Sequence, residues 1–312
     1  MAASSSTSSS RRFLLRLVLP AGLAIAAGCW LMDQAVWRLL ILPARSAGAY
    51  KVHRMFTEED PQEVPILGSS RAAGSYVPEL IDPHVYNYGI EKTEHELVEV
   101  MLERELQKSR RTPILINWDL EMYRHSIGNV AHFVPNLAHP EVRRYMREEL
   151  RWYHRFAGVR YFGLYDEYLR AALGERAEGN ARSRGGVFDR TPFDAGRFER
   201  LVRRREQAEA GWTDPAGRDS TLMALLMRTD RPIVIVVAPY HAACFRNYKG
   251  LAEATRYLKR LDALPQVTVL DHGRDPLPDD HFLNTTHVNE RGARAFSAVV
   301  GAEWRRLFPE RQ

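Results

Sequence analysis

Two polar segments near opposite ends of the chain contain residues suited to nucleophilic chemistry. The first is Gly-Ser-Ser-Arg at 68–71, directly after an apolar run. The second contains His287 and precedes a long amphipathic segment. Because a serine hydroxyl becomes a good nucleophile when a neighbouring base removes its proton, a serine and a histidine held together would suit acyl transfer.

The elements that must position these segments alternate between strand and helix. Apolar residues at helical spacing predict helices at 94–107 and 250–264. Five short runs of apolar, β-branched or aromatic residues predict strands buried on both faces of a parallel sheet, at 64–68, 85–89, 113–117, 232–238 and 266–270. The expected fold class is α/β, a three-layer α/β/α sandwich with a five-stranded parallel sheet.

Both polar segments are expected at one edge of this sheet. Ser70 follows the first predicted strand and His287 follows the fifth, and open α/β sheets bind ligands outside the carboxyl ends of their strands. We therefore expect Ser70 Oγ and a ring nitrogen of His287 to lie within about 4 Å of each other. The simpler interpretations are a helix N-cap for Ser70 and a backbone-bonded histidine at a helix start. If the turn after the first strand is placed one residue earlier in the sequence, Ser69 becomes the nucleophile.

The two segments resemble motifs of the SGNH or GDSL superfamily of serine esterases and acyltransferases, especially its membrane-anchored members that act on bacterial cell-surface polymers. Residues 68–70 are similar to the nucleophile block, with Ser69 in place of the usual Asp. Residues 284–292 are similar to the final block, Asp-x-x-His-x-Asn-x-x-Gly. The resemblance implies a flavodoxin-like fold with Ser70 as nucleophile and His287 as base.

The same resemblance implies an oxyanion hole. Residues 87–89 resemble the block whose glycine donates its N–H, and Asn117 stands near the place of the asparagine in Gly-x-Asn-Asp, with imperfect spacing. The implied donors are the N–H groups of Ser70 and Gly89 and the side-chain amide of Asn117.

The clearest departure from the family is Asn284, which stands three residues before His287, where an Asp is usual. The carbonyl oxygen of an asparagine can orient an imidazole but cannot offset the charge of an imidazolium. The site could therefore use Asn284 as the orienting residue, borrow Asp280 or Asp119, work as a Ser–His dyad, or be degenerate.

Two further residues are candidates for substrate binding. Arg71 could hold a carboxylate or phosphate with two parallel hydrogen bonds, or simply cover the first helix. His241 follows the fourth predicted strand and could line the pocket, or be a loop histidine without a role.

Residues 279–281, Asp-Asp-His, lack regular ligand spacing, so we expect no metal and no cofactor.

The amino-terminal region predicts a membrane anchor. Residues 13–32 contain one charge, Arg16, and are long enough to cross a bilayer. We expect a disordered cytoplasmic tail at 1–12, an anchor and neck at 13–42 with amphipathic character continuing to residue 60, and the catalytic domain at 60–312 on the extracytoplasmic side of a bacterial-type inner membrane. A lipoprotein signal ending at Cys29 and a cleaved signal peptide are the alternatives.

Between the third and fourth predicted strands lies a long insertion at about 120–230, which is expected to be partly helical, from 141 to 172. Residues 182–205 include eight arginines and three acidic residues. They form either a solvated face or a basic wall near an anionic glycan, phospholipid or wall polymer. No recognised nucleic-acid-binding module accompanies them, so no nucleic acid partner is expected.

Composition excludes several classes of protein. A net charge of +5 over 312 residues is too small for a histone-like polycation, and two cysteines cannot make a disulfide framework or a cluster of CxxC pairs. The resemblance to the SGNH or GDSL superfamily implies an ester hydrolase or O-acyltransferase that acts on acyl esters of a cell-surface polysaccharide or envelope polymer. A membrane acyl donor is conceivable as a partner. The alternatives are a non-catalytic envelope scaffold with the same fold and a glycan-binding module.

Overall fold

A computed structural model describes residues 14–93, 95–120, 129–178, 183–208, 210–211 and 220–311. The strands are β1 (Val64–Leu67), β2 (Val85–Asn87), β3 (Ile114–Asn117), β4 (Ala210–Gly211), β5 (Ile233–Val237), β6 (Tyr248–Lys249) and β7 (Val267–Asp271). The α-helices are α1 (Leu19–Val36), α2 (Gly48–Thr57), α3 (Ser70–Ser75), α4 (His95–Leu106), α5 (Pro140–Tyr145), α6 (Tyr165–Glu178), α7 (Ala195–Gln207), α8 (Ser220–Met227), α9 (Leu251–Asp262) and α10 (Glu290–Leu307).

Five strands form one parallel sheet in the order β2-β1-β3-β5-β7, which confirms all five predicted strands. The short β4 and β6 pair with each other in a separate sheet. The main sheet has the 2-1-3-4-5 order of a doubly wound fold, in which the winding direction reverses between β1 and β3. Ligands of such sheets bind outside the carboxyl ends of the strands at this reversal.

Each face of the sheet has its own apolar core, because successive side chains of a strand point to opposite faces. On one face, Ile114 and Ile116 belong to a cluster with residues of α2, α4, α8 and α9. On the other face, Leu115 belongs to a cluster with residues of α3 and α10. Helices therefore cover both faces, and the expectation of three layers is confirmed.

The amino-terminal helix is long and apolar enough to cross a membrane. It runs from Arg16 to Ile41, with π-helical turns at Leu14–Val18 and Trp37–Ile41 on either side of α1. Nine of its large apolar side chains are exposed, among them Leu23 at 62% and Ile25 at 68%, whereas Val36 and Ile41 near its carboxyl end are buried. The predicted tail at 1–12 lies outside the described residues.

Residues 48–57 of the predicted amphipathic neck pack on the α/β domain. These residues form α2, and Val52 and Met55 are fully buried in the core beneath the sheet. The amphipathic pattern arises because one face of α2 packs on the α/β domain, which therefore includes α2.

The insertion is less helical than predicted. Between α5 and α6, residues 146–164 are mostly turns, with one 3-10 helix at Trp152–Arg155. Gly158 and Gly163 have φ angles of 81° and 77°, which belong to the left-handed region and interrupt a right-handed helix. The aromatic side chain of Trp152, in this 3-10 helix, is 74% exposed.

Candidate active site

The nucleophile candidate sits in the turn between β1 and α3. Gly68 has a φ of 152°, and a Cβ there would lie 2.6 Å from the Cβ of Ala72, so a side chain would prevent this turn. Ser69 is the N-cap of α3 and accepts the N–H of Arg71. Ser70 is the first residue of the helix. Within the described residues its N–H is not donated to another protein group.

Ser70 and His287 meet as expected. Ser70 Oγ lies 2.9 Å from His287 Nε2, although 217 residues separate them in the chain. Both residues line a cavity of about 620 Å³. The hydroxyl and the imidazole are thus within hydrogen-bond distance at the wall of a space large enough for a substrate.

The other ring nitrogen of His287 faces two neutral oxygen atoms. Asn284 Oδ1 lies 3.2 Å from Nδ1, and Thr286 Oγ1 lies 3.0 Å from it. Asn284 Oδ1 also accepts the backbone N–H groups of Thr286 and His287, each at 2.9 Å. Asn284 therefore shapes the turn as well as facing the ring. With the proton on Nδ1, Nε2 is free to accept the proton of Ser70.

Asp280 and Asp119, the two carboxylates that could have oriented the ring of His287, have other partners. Asp280 Oδ2 lies 3.0 Å from Arg291 Nη1. Asp119 accepts hydrogen bonds from Ser69, Arg71 and Asn117. Among the described residues, no carboxylate bonds the ring of His287.

The protonation of His287 follows from these surroundings. The pKa of His287 is lowered from its usual 6.5 to about 4, chiefly by burial and also by the positive charge of Arg71, while the charge of Asp119 raises it. A neutral imidazole is the form that can take a proton from Ser70. It is the dominant form at neutral pH.

Arg71 does not line the cavity, so its predicted role in substrate binding is corrected. It is 5% exposed, and its Nε donates to Asp119 Oδ1 at 2.8 Å. Its Nη groups donate to the backbone oxygens of Ala238 and Thr286. The guanidinium also stacks 3.4 Å from the ring centre of Tyr240. Arg71 thereby joins the ends of β1, β3 and β5 to the turn that carries His287.

Ser69 bonds to the same carboxylate as Arg71, which argues against Ser69 as the nucleophile. It is 5% exposed and donates its hydroxyl to Asp119 Oδ2. Its role is therefore that of an N-cap bonded to a buried carboxylate, and Ser70 is the serine next to the histidine.

The predicted oxyanion donors other than Ser70 are used elsewhere. The Gly89 N–H donates to Asn87 Oδ1 at 2.9 Å, and the Asn117 amide donates to Asp119 Oδ1 at 2.8 Å. Neither residue lines the cavity of Ser70. A Cβ on Gly89 would lie 2.3 Å from Ala73 N, so this glycine serves the close approach of its loop to α3. The predictions for Gly89 and Asn117 do not agree with the structure.

His241 also lies away from the cavity. Its Nε2 is 3.2 Å from Asp279 Oδ1, and its ring makes edge-to-face contacts with Phe198 and Phe282. The prediction that His241 binds substrate is corrected to a packing role.

Part of the insertion forms a wall of the cavity. The N–H of Val187 donates to the oxygen of Ala73 in α3, and Asp189 O accepts the N–H of Glu290 in α10. Of the described arginines at 183–205, Arg190 alone lines this cavity, and it lies 2.9 Å from Glu290. Lys92, with a φ of 54°, also lines this cavity.

Sequence reasoning missed Thr286 and the wall at 187–191. Thr286 directly precedes His287, and a hydroxyl beside a candidate base is a signal that could have been noted. The wall has no such signal, because its place depends on hydrogen bonds to α3 and α10.

The buried ion pair of Arg71 gives a stability prediction. Arg71→Met removes one partner and leaves the charge of Asp119 buried, so we expect it to lower the free energy of unfolding by about 3–5 kcal/mol. Urea unfolding of the full chain in detergent micelles measures this.

Arg291→Met is the matched control, because it removes an arginine from an ion pair with Asp280 in which both side chains are exposed. We expect a loss of about 0–1 kcal/mol. Equal effects of the two substitutions would contradict a structural role for the Arg71 pair.

Comparison with known proteins does not identify a family. No protein-family model matches the chain, and no curated protein matches it.

Proposed function

We propose that this protein is a serine-dependent ester hydrolase or O-acyltransferase of the SGNH or GDSL type. The observation that supports this most is the 2.9 Å distance between Ser70 Oγ and His287 Nε2 at the wall of a cavity of about 620 Å³. The motif resemblance and the doubly wound parallel sheet agree with the proposal.

In the first step Ser70 Oγ attacks the acyl carbonyl carbon while His287 Nε2 takes the hydroxyl proton. A new C–O bond forms, and the carbonyl π electrons move onto its oxygen, which the N–H of Ser70 can stabilise. When this intermediate collapses, the ester C–O bond breaks and His287 returns the proton to the leaving alkoxide. The products of the step are an alcohol and an acyl-serine.

In the second step an acceptor hydroxyl attacks the acyl carbon and gives its proton to His287. The bond between the acyl carbon and Ser70 Oγ then breaks, and His287 passes the proton to the departing Oγ. Water as acceptor gives hydrolysis, and a sugar hydroxyl gives acyl transfer. The oxygens of Asn284 and Thr286 accept a hydrogen bond from the Nδ1–H group, which holds the ring with Nε2 toward the serine.

The location and substrate class are part of the same proposal. A helix that can cross a membrane would hold the domain at a bilayer, on the extracytoplasmic side of a bacterial-type inner membrane. An acylated cell-surface polysaccharide or envelope polymer would be within reach there. The lining carries both signs of charge, with Lys92 and Arg190 beside Glu91 and Asp189, so the proposed class of polymer follows from the location and the resemblance.

A second candidate function is a non-catalytic envelope scaffold. Two observations favour it: the place of the usual acid is taken by Asn284, and the N–H of Gly89 and the amide of Asn117 are bonded within the protein. The two functions differ in whether Ser70 reacts as a nucleophile: it does so in an enzyme and does not in a scaffold.

A fluorophosphonate probe tests the enzyme directly. Ser70 Oγ displaces fluoride from phosphorus when His287 takes its proton, so we expect the full chain to be labelled and Ser70→Ala to lose all labelling. Mass spectrometry of the labelled peptide and in-gel fluorescence measure this. Ser69→Ala is the neighbouring control and should keep the label. An unlabelled wild-type chain would favour the scaffold, and a labelled Ser70→Ala would exclude Ser70.

The pH dependence follows from the lowered pKa of His287. Because the neutral ring is the base, the acid limb of kcat/KM for an activated acetate ester should lie near pH 4, with activity kept through pH 6. Asn284→Asp places a carboxylate beside Nδ1, which favours the imidazolium, so the limb should move to higher pH.

Asn247→Asp makes the same change at an exposed position and should leave the limb in place. A wild-type limb near 6.5, or equal limbs in the two variants, would contradict this account of His287.

A further inference from the structure

An unusual apolar surface lies in the insertion, away from the catalytic cavity. Outside the amino-terminal helix, nine large apolar side chains of the described residues are exposed, and six of them lie at 152–173. These six are Trp152 at 74%, Phe156 at 56%, Val159 at 41%, Phe162 at 70%, Leu169 at 47% and Leu173 at 53%. We call them the apolar patch. Such a concentration marks an interaction surface.

The apolar patch adjoins the helix that can cross a membrane. Gly158, between Phe156 and Val159, packs so closely on that helix that a Cβ would lie 2.5 Å from the Cβ of Cys29. Further along, α6 contacts the helical turn Trp37–Ile41. The patch and the exposed apolar side chains of the helix are therefore parts of one surface.

A buried acid shows that this contact is specific. Asp33 is the one acidic residue at 14–41, and an acid in a membrane-spanning helix is costly unless it is paired. Asp33 Oδ2 lies 2.7 Å from Arg160 Nε, and Asp33 Oδ1 accepts the N–H of Gly158 at 2.8 Å. The loop that carries the patch thus satisfies the acid in the helix.

The geometry sets a depth for this loop. A helix from Arg16 to Ile41 is about 39 Å long, which exceeds a hydrocarbon core of about 30 Å. If the core ends at Met32, the last residue of the apolar segment 13–32, Cys29 lies about 5 Å inside that end. Gly158, packed against Cys29, then lies at the boundary between the acyl chains and the headgroups.

We propose that the apolar patch inserts into the membrane leaflet at the carboxyl-terminal end of the helix, so that residues 152–173 are a second membrane contact of the domain. The occupant of this surface is the lipid bilayer. Aromatic residues flanked by the exposed Arg151 and Arg155 match the chemistry of a membrane interface with anionic headgroups. This inference rests on the proposal that residues 16–41 cross a membrane.

The second contact also brings a membrane surface close to the catalytic domain's cavities. Leu169 and Leu173 are exposed on α6, whereas Gly174 and Glu175 of the same helix line a second cavity of about 480 Å³. This cavity shares Glu91, Lys92 and Val187 with the cavity of Ser70. Insertion of the patch would therefore fix the active site at a short distance from the lipid headgroups.

Photolabelling from the acyl chains tests the insertion. The full chain is placed in nanodiscs of phosphatidylcholine and phosphatidylglycerol that contain a phosphatidylcholine with a diazirine in its acyl chain, and adducts are mapped by mass spectrometry after irradiation. We expect adducts on the peptides of helix 16–41 and on those of 152–162. Peptides with Met227 and Val299, which are also exposed and apolar, are internal controls and should have severalfold fewer adducts.

If the peptides of helix 16–41 are labelled but those of 152–162 have no more adducts than the controls, the insertion is overturned and the anchor stands. Unlabelled helix peptides would remove the anchor and the insertion together. Neither result bears on the chemistry of Ser70, which the fluorophosphonate probe tests separately.

Discussion

The active-site geometry depends on one buried ion pair, Arg71 with Asp119. The arginine follows the nucleophile candidate directly, and its guanidinium donates to the oxygen of Thr286, directly before His287. The carboxylate comes from the end of β3 and also accepts the hydroxyl of Ser69. Removing water from two charges is costly, and the pair is tolerated because its hydrogen-bonding groups have partners. It fixes the serine relative to the histidine.

The same pair affects the chemistry of the base. Burial and the charge of Arg71 keep His287 neutral, and its Nδ1 faces the neutral oxygens of Asn284 and Thr286. In the proposed reaction such a histidine would be available as a base over a wide pH range, but among the described residues no adjacent carboxylate would stabilise the imidazolium. The proposed site would therefore stabilise this charge less than a triad with an acid does.

The strands and the Ser–His pair were accessible from the sequence for a definite reason. Runs such as Ile114–Asn117 are apolar and bounded by turns, and parallel strands bring their carboxyl ends to one edge, so residues after the first and last strands must lie near each other. The role of Arg71 was not accessible, because its partners come from three other segments. The same holds for Gly89, whose need for a small side chain comes from the approach of α3.

Two further features were not accessible from the sequence because they also depend on contacts between distant parts of the chain. The pattern at 48–57 is amphipathic whether the helix packs on a domain or on a membrane, and periodicity does not distinguish these environments. Trp152 and Phe156 are aromatic residues that would normally be core, yet they are exposed beside an apolar helix. Their surroundings depend on the contact of Gly158 with Cys29, which is a long-range feature.

The most direct test of the central claim is the titration of His287 by ¹⁵N NMR. The full chain, labelled at its histidine ring nitrogens and held in detergent micelles, is compared with His287→Gln to assign the signal. The account predicts a neutral ring with its proton on Nδ1 that becomes protonated near pH 4, and an Nε2 shift that changes in Ser70→Ala. A ring that titrates near 6.5 and does not respond to Ser70→Ala would contradict the account.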